Sequence, residues 1–113
     1  AIGPYSQAVE VNGILFISGQ LPIDPSTGAF PEGGIKEQTT QSFANIKAIL
    51  AEAGMTTDNI VKTTVLLADI ADFGGMNEVY ATQFGDTFPA RSAFAARDLP
   101  KGAMVEIEVI AAR

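Results

Sequence analysis

Arg91 is the residue of this sequence best suited to holding a small acid, and it lies in the FPARS segment of residues 88–92. Its guanidinium is a planar fork that grips a carboxylate through two parallel hydrogen bonds, which Lys cannot copy. Such charge-assisted hydrogen bonds contribute about 1.5–3 kcal/mol each. Pro89 fixes the backbone that enters the predicted strand and could aim the side chain. The alternative is an arginine at a strand start, solvated or paired with a nearby acid.

Glu106 is the candidate base. It lies on the final predicted strand, on the face opposite a row of aliphatic residues. A carboxylate on a sheet face within a cleft can orient or deprotonate water. The alternative is a solvent-facing strand residue that opposes aggregation. Glu108 has the same periodicity and could be mistaken for Glu106.

Three further side chains could assist such chemistry. Tyr5 and Ser18 carry hydroxyls that could position water or a substrate nitrogen, although each alone is more often a structural hydrogen-bond donor. Asn77, in a predicted helix, could bond a loop carbonyl or be exposed. The chain has no Cys and no His, which excludes a thiol nucleophile, a Ser-His-Asp arrangement and the commonest metal ligand. Neither glycine-rich phosphate-binding motif occurs.

The composition of the chain limits the kinds of partner that it can bind. The 113 residues have a net charge of −6, and the Lys and Arg residues are scattered. We therefore expect neither a nucleic-acid footprint nor attraction to an acidic membrane surface. The apolar stretches are too short to span a bilayer. We find no signal peptide at the start, and the absence of Cys fits a reducing compartment such as the cytoplasm. The length predicts one domain, residues 1–113.

The elements that must position these residues follow from periodicity and turn signals. Asn-Gly at residues 12–13, between two apolar segments, predicts a β-hairpin. The predicted strands are Tyr5–Val11, Ile14–Ser18, Ile60–Leu67, Arg91–Arg97 and Ala103–Ala111, and the predicted helices are Ile35–Ala53 and Asp72–Phe84. The order β-β-α-β-α-β-β favours an α+β fold, one sheet with both helices packed on one face. The other face, if apolar, needs a cover that a homo-oligomer could supply.

Several segments together resemble the RidA branch of the Rid (YjgF) family. They are IGPYSQ at residues 2–7, ISGQLP at 17–22, FPARS at 88–92, and LPKG at 99–102 followed by VEIE at 105–108. The middle of the chain matches too, so the resemblance spans essentially all of it. It implies a chorismate-mutase-like α+β fold with one mixed sheet, and a homotrimer with active sites in clefts between subunits. It also implies hydrolytic deamination of 2-iminopropanoate and 2-iminobutanoate, a form of metabolite damage control.

The same resemblance assigns roles to individual residues. Arg91 corresponds to the family's carboxylate-binding arginine and Glu106 to its water-orienting glutamate. The other implied pocket residues are Tyr5, Ser18, Gly19, Asn77 and Ala93. Ala93 stands where many members have Cys, which argues against a thiol-based role and leaves hydrolysis unaffected. No metal or organic cofactor is expected, because an iminium carbon is already electrophilic.

Two other functions fit the same fold. One is a non-catalytic protein that binds or senses small 2-oxo carboxylates, which would use Arg91 but needs no base. The other is an endoribonuclease or translation inhibitor, activities ascribed to some relatives. The acidic charge and the absence of His argue against RNA cleavage.

Overall fold

The computed structural model describes residues 3–113, so Ile2, which opens the first family-like segment, lies outside the described residues. These residues form a mixed five-stranded sheet with two helices, in the predicted order β-β-α-β-α-β-β. The strands are β1 (Ala8–Val11), β2 (Ile14–Gln20), β3 (Ile60–Leu67), β4 (Ala90–Ala95) and β5 (Val105–Ala112), and the helices are α1 (Ile35–Glu52) and α2 (Phe73–Ala81). The sheet order is β1-β2-β5-β3-β4, and only the β3–β4 pair is parallel in this sheet.

The core lies between the sheet and the two helices. Phe43, Ile46 and Leu50 of α1 are fully buried, and their spacing places them on one helical stripe. Alternate residues of β5 are buried against the helices, namely Val105, Ile107, Val109 and Ala111. Glu106 and Glu108 point to the opposite face of the sheet, as the period of two predicts. The predicted α+β fold, with both helices on one face, is therefore confirmed.

The hairpin turn is confirmed as well. Asn12 and Gly13 join β1 to β2 with φ angles of 52° and 78°. Both angles lie in the left-handed region that a tight two-residue hairpin turn requires, and Asn and Gly tolerate this region best.

Several element ends differ from the sequence prediction. β1 begins at Ala8 instead of Tyr5, whose N–H donates to the carbonyl of Gly3 in a local bend. α2 ends at Ala81 instead of Phe84, because the next N–H groups bond carbonyls only three residues back. The strands β2, β4 and β5 differ from the prediction by one or two residues at their ends. β3 matches the prediction at both ends.

The sheet face turned away from the helices is rich in exposed apolar side chains. Val9, Phe16 and Phe94 lie on this face and are 55%, 45% and 51% exposed. Ile110, the strand partner of Phe16, lies on the same face. Apolar surface of this kind is typical of interaction sites. No helix within residues 3–113 is long and apolar enough to cross a membrane.

Candidate active site

A cleft of about 760 Å³ opens where β2 leaves its regular pairing with β5. The register of the two strands shifts between Ile17 and Gln20, so β2 bulges there. Bulges re-aim side chains and often lie next to functional sites. Four of the predicted site residues line this cleft, namely Tyr5, Ser18, Gly19 and Glu106. Lys101 also lines it and is the cation among its lining residues.

Gly19 makes room for the Glu106 carboxyl group. A Cβ atom built on Gly19 would lie 2.9 Å from Glu106 Cδ and closer still to its Oε2. Any larger residue at position 19 would therefore displace the carboxyl group. Gly19 is therefore needed because it has no side chain, and not for its backbone conformation, since its φ angle is not in the left-handed region.

The environment of Glu106 makes its carboxylate more basic than usual. The side chain is half-buried, and this burial raises the pKa of Glu106; the negative charge of Glu108 raises it further. Glu108 lies two residues along the same strand and faces the same side. A carboxylate with a raised pKa accepts a proton from water more readily, which suits a general base.

Hydrogen bonds fix the cleft wall that β2 supplies. Ser18 Oγ donates to the carbonyl of Ser6 at 2.6 Å. Gln20 Nε2 donates to the carbonyl of Ser18 at 3.0 Å and to Gln7 Oε1 at 2.8 Å. Asn45 Nδ2, on α1, donates to the carbonyls of the loop just beyond β2. The Ser18 hydroxyl is therefore oriented, and its oxygen can still accept a hydrogen bond.

Arg91 lies on the helix side of the sheet, on the edge strand β4. Its Nη1 donates to Asn77 Oδ1 at 2.6 Å. Its Cζ lies 4.6 Å from the ring centre of Tyr80 and 5.4 Å from that of Phe73. Among residues 3–113, no carboxylate lies within ion-pair distance of its guanidinium. Its charge is therefore available to an external anion.

Ala93 lies two residues after Arg91 on the same face of β4 and packs against the core. With Arg91 and Asn77 it makes a second group of predicted site residues. This group is separate from the cleft that contains Glu106.

The sheet separates the two groups within one chain. Arg91 pairs with Thr63 of β3, which is fully buried beneath the helices. Glu106 pairs with Leu66 of β3, which faces the other side of the sheet. Directly paired residues share a face, so Arg91 and Glu106 lie on opposite faces. One chain does not bring the two residues together.

The comparisons with known proteins agree with this architecture. The Endoribonuclease L-PSP family model, which describes the RidA family, matches residues 1–113. The chain belongs to the RidA family. A 2-iminobutanoate/2-iminopropanoate deaminase of Mus musculus is 52% identical over 98% of this chain and 82% of that protein. A RutC family protein of Pyrococcus abyssi is 53% identical over 97% of this chain and 87% of that protein.

A solved RidA family structure gives the same fold. The crystal structure of E. coli TdcF with bound serine is 42% identical, and the alignment covers 100% of this chain and 91% of the TdcF chain with a TM-score of 0.95. The sequence-based assignment to the RidA family and its fold is therefore confirmed.

Three residues near these sites were missed by the sequence analysis of this RidA chain. Gln20 was quoted only as part of a motif, yet it is buried and fixes the cleft wall. Phe73 and Tyr80 were not among the predicted site residues. Their spacing from Asn77, four residues before and three after, was the available signal, since such positions share one helix face.

Proposed function

We propose that this RidA family chain hydrolyses small 2-imino acids, such as 2-iminopropanoate and 2-iminobutanoate, to 2-oxo acids and ammonia. The observation that carries the proposal is Glu106, a half-buried carboxyl group with a raised pKa inside a cleft. The name of the mouse relative supports the substrate class. A binding protein without catalysis would have no need of such a base.

The reaction needs one anchor and one base. Arg91 binds the substrate carboxylate and so places C2 of the imine within the site. Glu106 orients a water molecule and accepts its proton as the oxygen attacks C2, which gives a carbinolamine. Glu106 returns this proton to the nitrogen. The C–N bond then breaks while the hydroxyl proton of the carbinolamine passes to Glu106, which releases the 2-oxo acid and ammonia. For a substrate that enters as the protonated imine, this last proton leaves Glu106 with ammonia, as ammonium. All atoms come from the imine and one water molecule.

The remaining predicted residues shape the pocket. Tyr5 and Ser18 offer hydroxyls to the water or to the imine nitrogen, and Gly19 leaves room for the Glu106 carboxyl group. Asn77 holds one Nη of Arg91, and Ala93 contributes backbone beside it. We place this activity in the cytoplasm, where it removes reactive intermediates, and the absence of Cys is consistent with such a reducing compartment.

We further propose that the complete site spans two subunits of a homotrimer. Arg91 and Glu106 lie on opposite faces of one sheet, so a second copy must supply one of them to a shared site. The exposed apolar face around Phe16 and Phe94 supports burial between copies. In a closed ring, two different patches meet at every interface, which gives three equivalent sites.

The test generates imines in situ with an amino-acid oxidase and traps them with semicarbazide. The wild-type protein should suppress the trapped product. Arg91→Lys keeps the charge and loses the fork, so we expect kcat/KM to fall by about 100-fold. Arg97→Lys is the matched control, because the Arg97 side chain is fully solvated.

Glu106→Gln separates catalysis from binding. We expect it to bind 2-oxobutanoate normally and to lower kcat by about 100-fold or more, because a positioned base is lost. Glu52→Gln, at the end of α1, is the control for the change in charge. A wild-type protein that binds 2-oxobutanoate through Arg91 but never suppresses the trapped product would be a binding protein, and the deaminase proposal would be wrong.

A further inference from the structure

Helix α2 presents one polar and two aromatic side chains to the Arg91 guanidinium. Phe73, Asn77 and Tyr80 follow one another at helical spacing along a single stripe. The amide of Asn77 binds one Nη of Arg91, while the rings of Phe73 and Tyr80 lie 5.4 Å and 4.6 Å from its Cζ. The cation therefore lies on a surface built by one helix.

The Tyr80 ring is the more firmly held of the two rings. It is 4% exposed, and its hydroxyl shares a hydrogen bond of 2.8 Å with Thr63 Oγ1. Phe43 packs edge-on against it, with ring centres 5.6 Å apart. Thr63 is also the strand partner of Arg91. The ring is thus fixed to the same pair of strands that carries the arginine.

We propose that Tyr80, assisted by Phe73, is a positioning residue that orients Arg91 for carboxylate binding. An arginine on an edge strand has many rotamers, and a fork binds in two-pronged fashion only when its plane is fixed. The face of an aromatic ring attracts a guanidinium and sets that plane. Asn77 takes one of the five N–H donors, so a parallel pair remains for the ligand.

This inference rests on the proposed carboxylate-binding role of Arg91 and deepens it. It adds a residue that was not among the predicted site residues. It predicts that the affinity for small carboxylates depends on a buried ring that never touches the ligand.

The experiment compares Tyr80→Leu, Tyr80→Phe and Phe43→Leu. Isothermal titration with 2-oxobutanoate gives Kd, and the imine assay gives KM and kcat. Tyr80→Leu removes the ring face, so we expect Kd and KM to rise by about 5-fold to 30-fold with a smaller change in kcat. Phe43→Leu removes a neighbouring buried ring that does not contact Arg91. It leaves the hydrogen bond between the Tyr80 hydroxyl and Thr63 in place, so the Tyr80 ring stays fixed to β3 and Kd should stay within about twofold of wild type.

Tyr80→Phe separates positioning from stability. It keeps the ring and leaves the buried hydroxyl of Thr63 without its partner. We expect a lower free energy of unfolding in urea, since an unpaired buried hydroxyl is costly. The Kd for 2-oxobutanoate should nevertheless stay much closer to the wild-type value than that of Tyr80→Leu.

Two results would overturn the inference. One is an equal rise in Kd for Tyr80→Leu and Phe43→Leu, which would make the effect a general loss of packing. The other is a Kd for Tyr80→Phe as weak as that of Tyr80→Leu. Arg91→Lys is measured in parallel: weak binding by Arg91→Lys with normal binding by Tyr80→Leu would reject the positioning role alone. Normal binding by Arg91→Lys would reject the carboxylate role of Arg91.

Discussion

The chain has three arginines, and each has a different electrostatic environment. Arg113 makes two hydrogen bonds to the Glu10 carboxylate, at 2.8 Å and 3.1 Å, so its charge is already balanced. Arg97 is almost fully solvated, where water screens any ligand strongly. Arg91 is half-buried on aromatic rings without a nearby carboxylate in the described chain. Of the three arginines, only Arg91 therefore combines an unbalanced charge with a fixed planar guanidinium that can bind an acid.

At the residue scale, we expect the charge of Glu108 to influence the pKa of the proposed base, Glu106. The charge of Glu108 adds to the effect of burial in raising the pKa of Glu106. Glu108→Gln removes that charge, so the pKa of Glu106 should fall and the carboxylate should persist to lower pH. We therefore expect the acidic limb of the profile of kcat/KM against pH to move to lower pH. Initial rates in the imine assay across the acidic range measure this shift.

The control for this prediction is Glu52→Gln, which makes the same change in net charge on helix α1. Its profile should match that of the wild type. Added salt should shrink the difference between Glu108→Gln and wild type, because the Coulombic part of the effect is screened. An acidic limb that stays in place in Glu108→Gln would argue against Glu106 as the group that titrates.

At the element scale, we expect Ala substitutions at two adjacent glycines of α2 to change the free energy of unfolding in opposite directions. A Cβ on Gly75 would lie 2.6 Å from Ile35 Cγ2 of α1, while one on Gly74 meets open space. We expect Gly75→Ala to lower the free energy of unfolding by about 1–3 kcal/mol, since it overpacks the helix contact. Gly74→Ala should raise it by up to about 1 kcal/mol through helix propensity.

Urea unfolding at one fixed protein concentration measures both variants, because assembly would make stability depend on concentration. Equal stabilities for Gly74→Ala and Gly75→Ala would show that α1 and α2 do not approach each other closely at this point.

The regular elements were predictable because their signals are periodic. The run Ile60–Leu67 and the alternation of β5 identify strands without tertiary information. The bulge after Ile17 was not predictable, since it depends on register against β5, a strand some 90 residues later in the chain. The proposed role of Tyr80 was not predictable for a similar reason, because a buried aromatic residue is assigned to the core until the residues that contact it are known.

At the scale of the whole molecule, the sequence resemblance predicts the candidate site residues, but it does not say which of them share a face of the sheet. That information comes from register: Thr63 and Leu66 of β3 point to opposite sides, and they pair with Arg91 and Glu106 respectively. A three-residue separation along one strand therefore divides the candidate site in two. The division makes assembly part of the proposed catalytic mechanism.

Subunit mixing tests this division directly. Arg91→Lys and Glu106→Gln each disable every site when alone, but a mixed trimer joins an intact Arg91 from one subunit to an intact Glu106 from another. Every trimer that contains both variants then has one intact site among its three, so doubly tagged trimers should regain about one third of the wild-type activity. The two variants carry different tags and are co-expressed, and trimers that carry both tags are purified. Light scattering checks their mass, and the imine assay measures their activity. Mixing Arg91→Lys with the double variant restores no site and sets the background. Activity no higher than that background would mean that Arg91 and Glu106 do not act together across subunits.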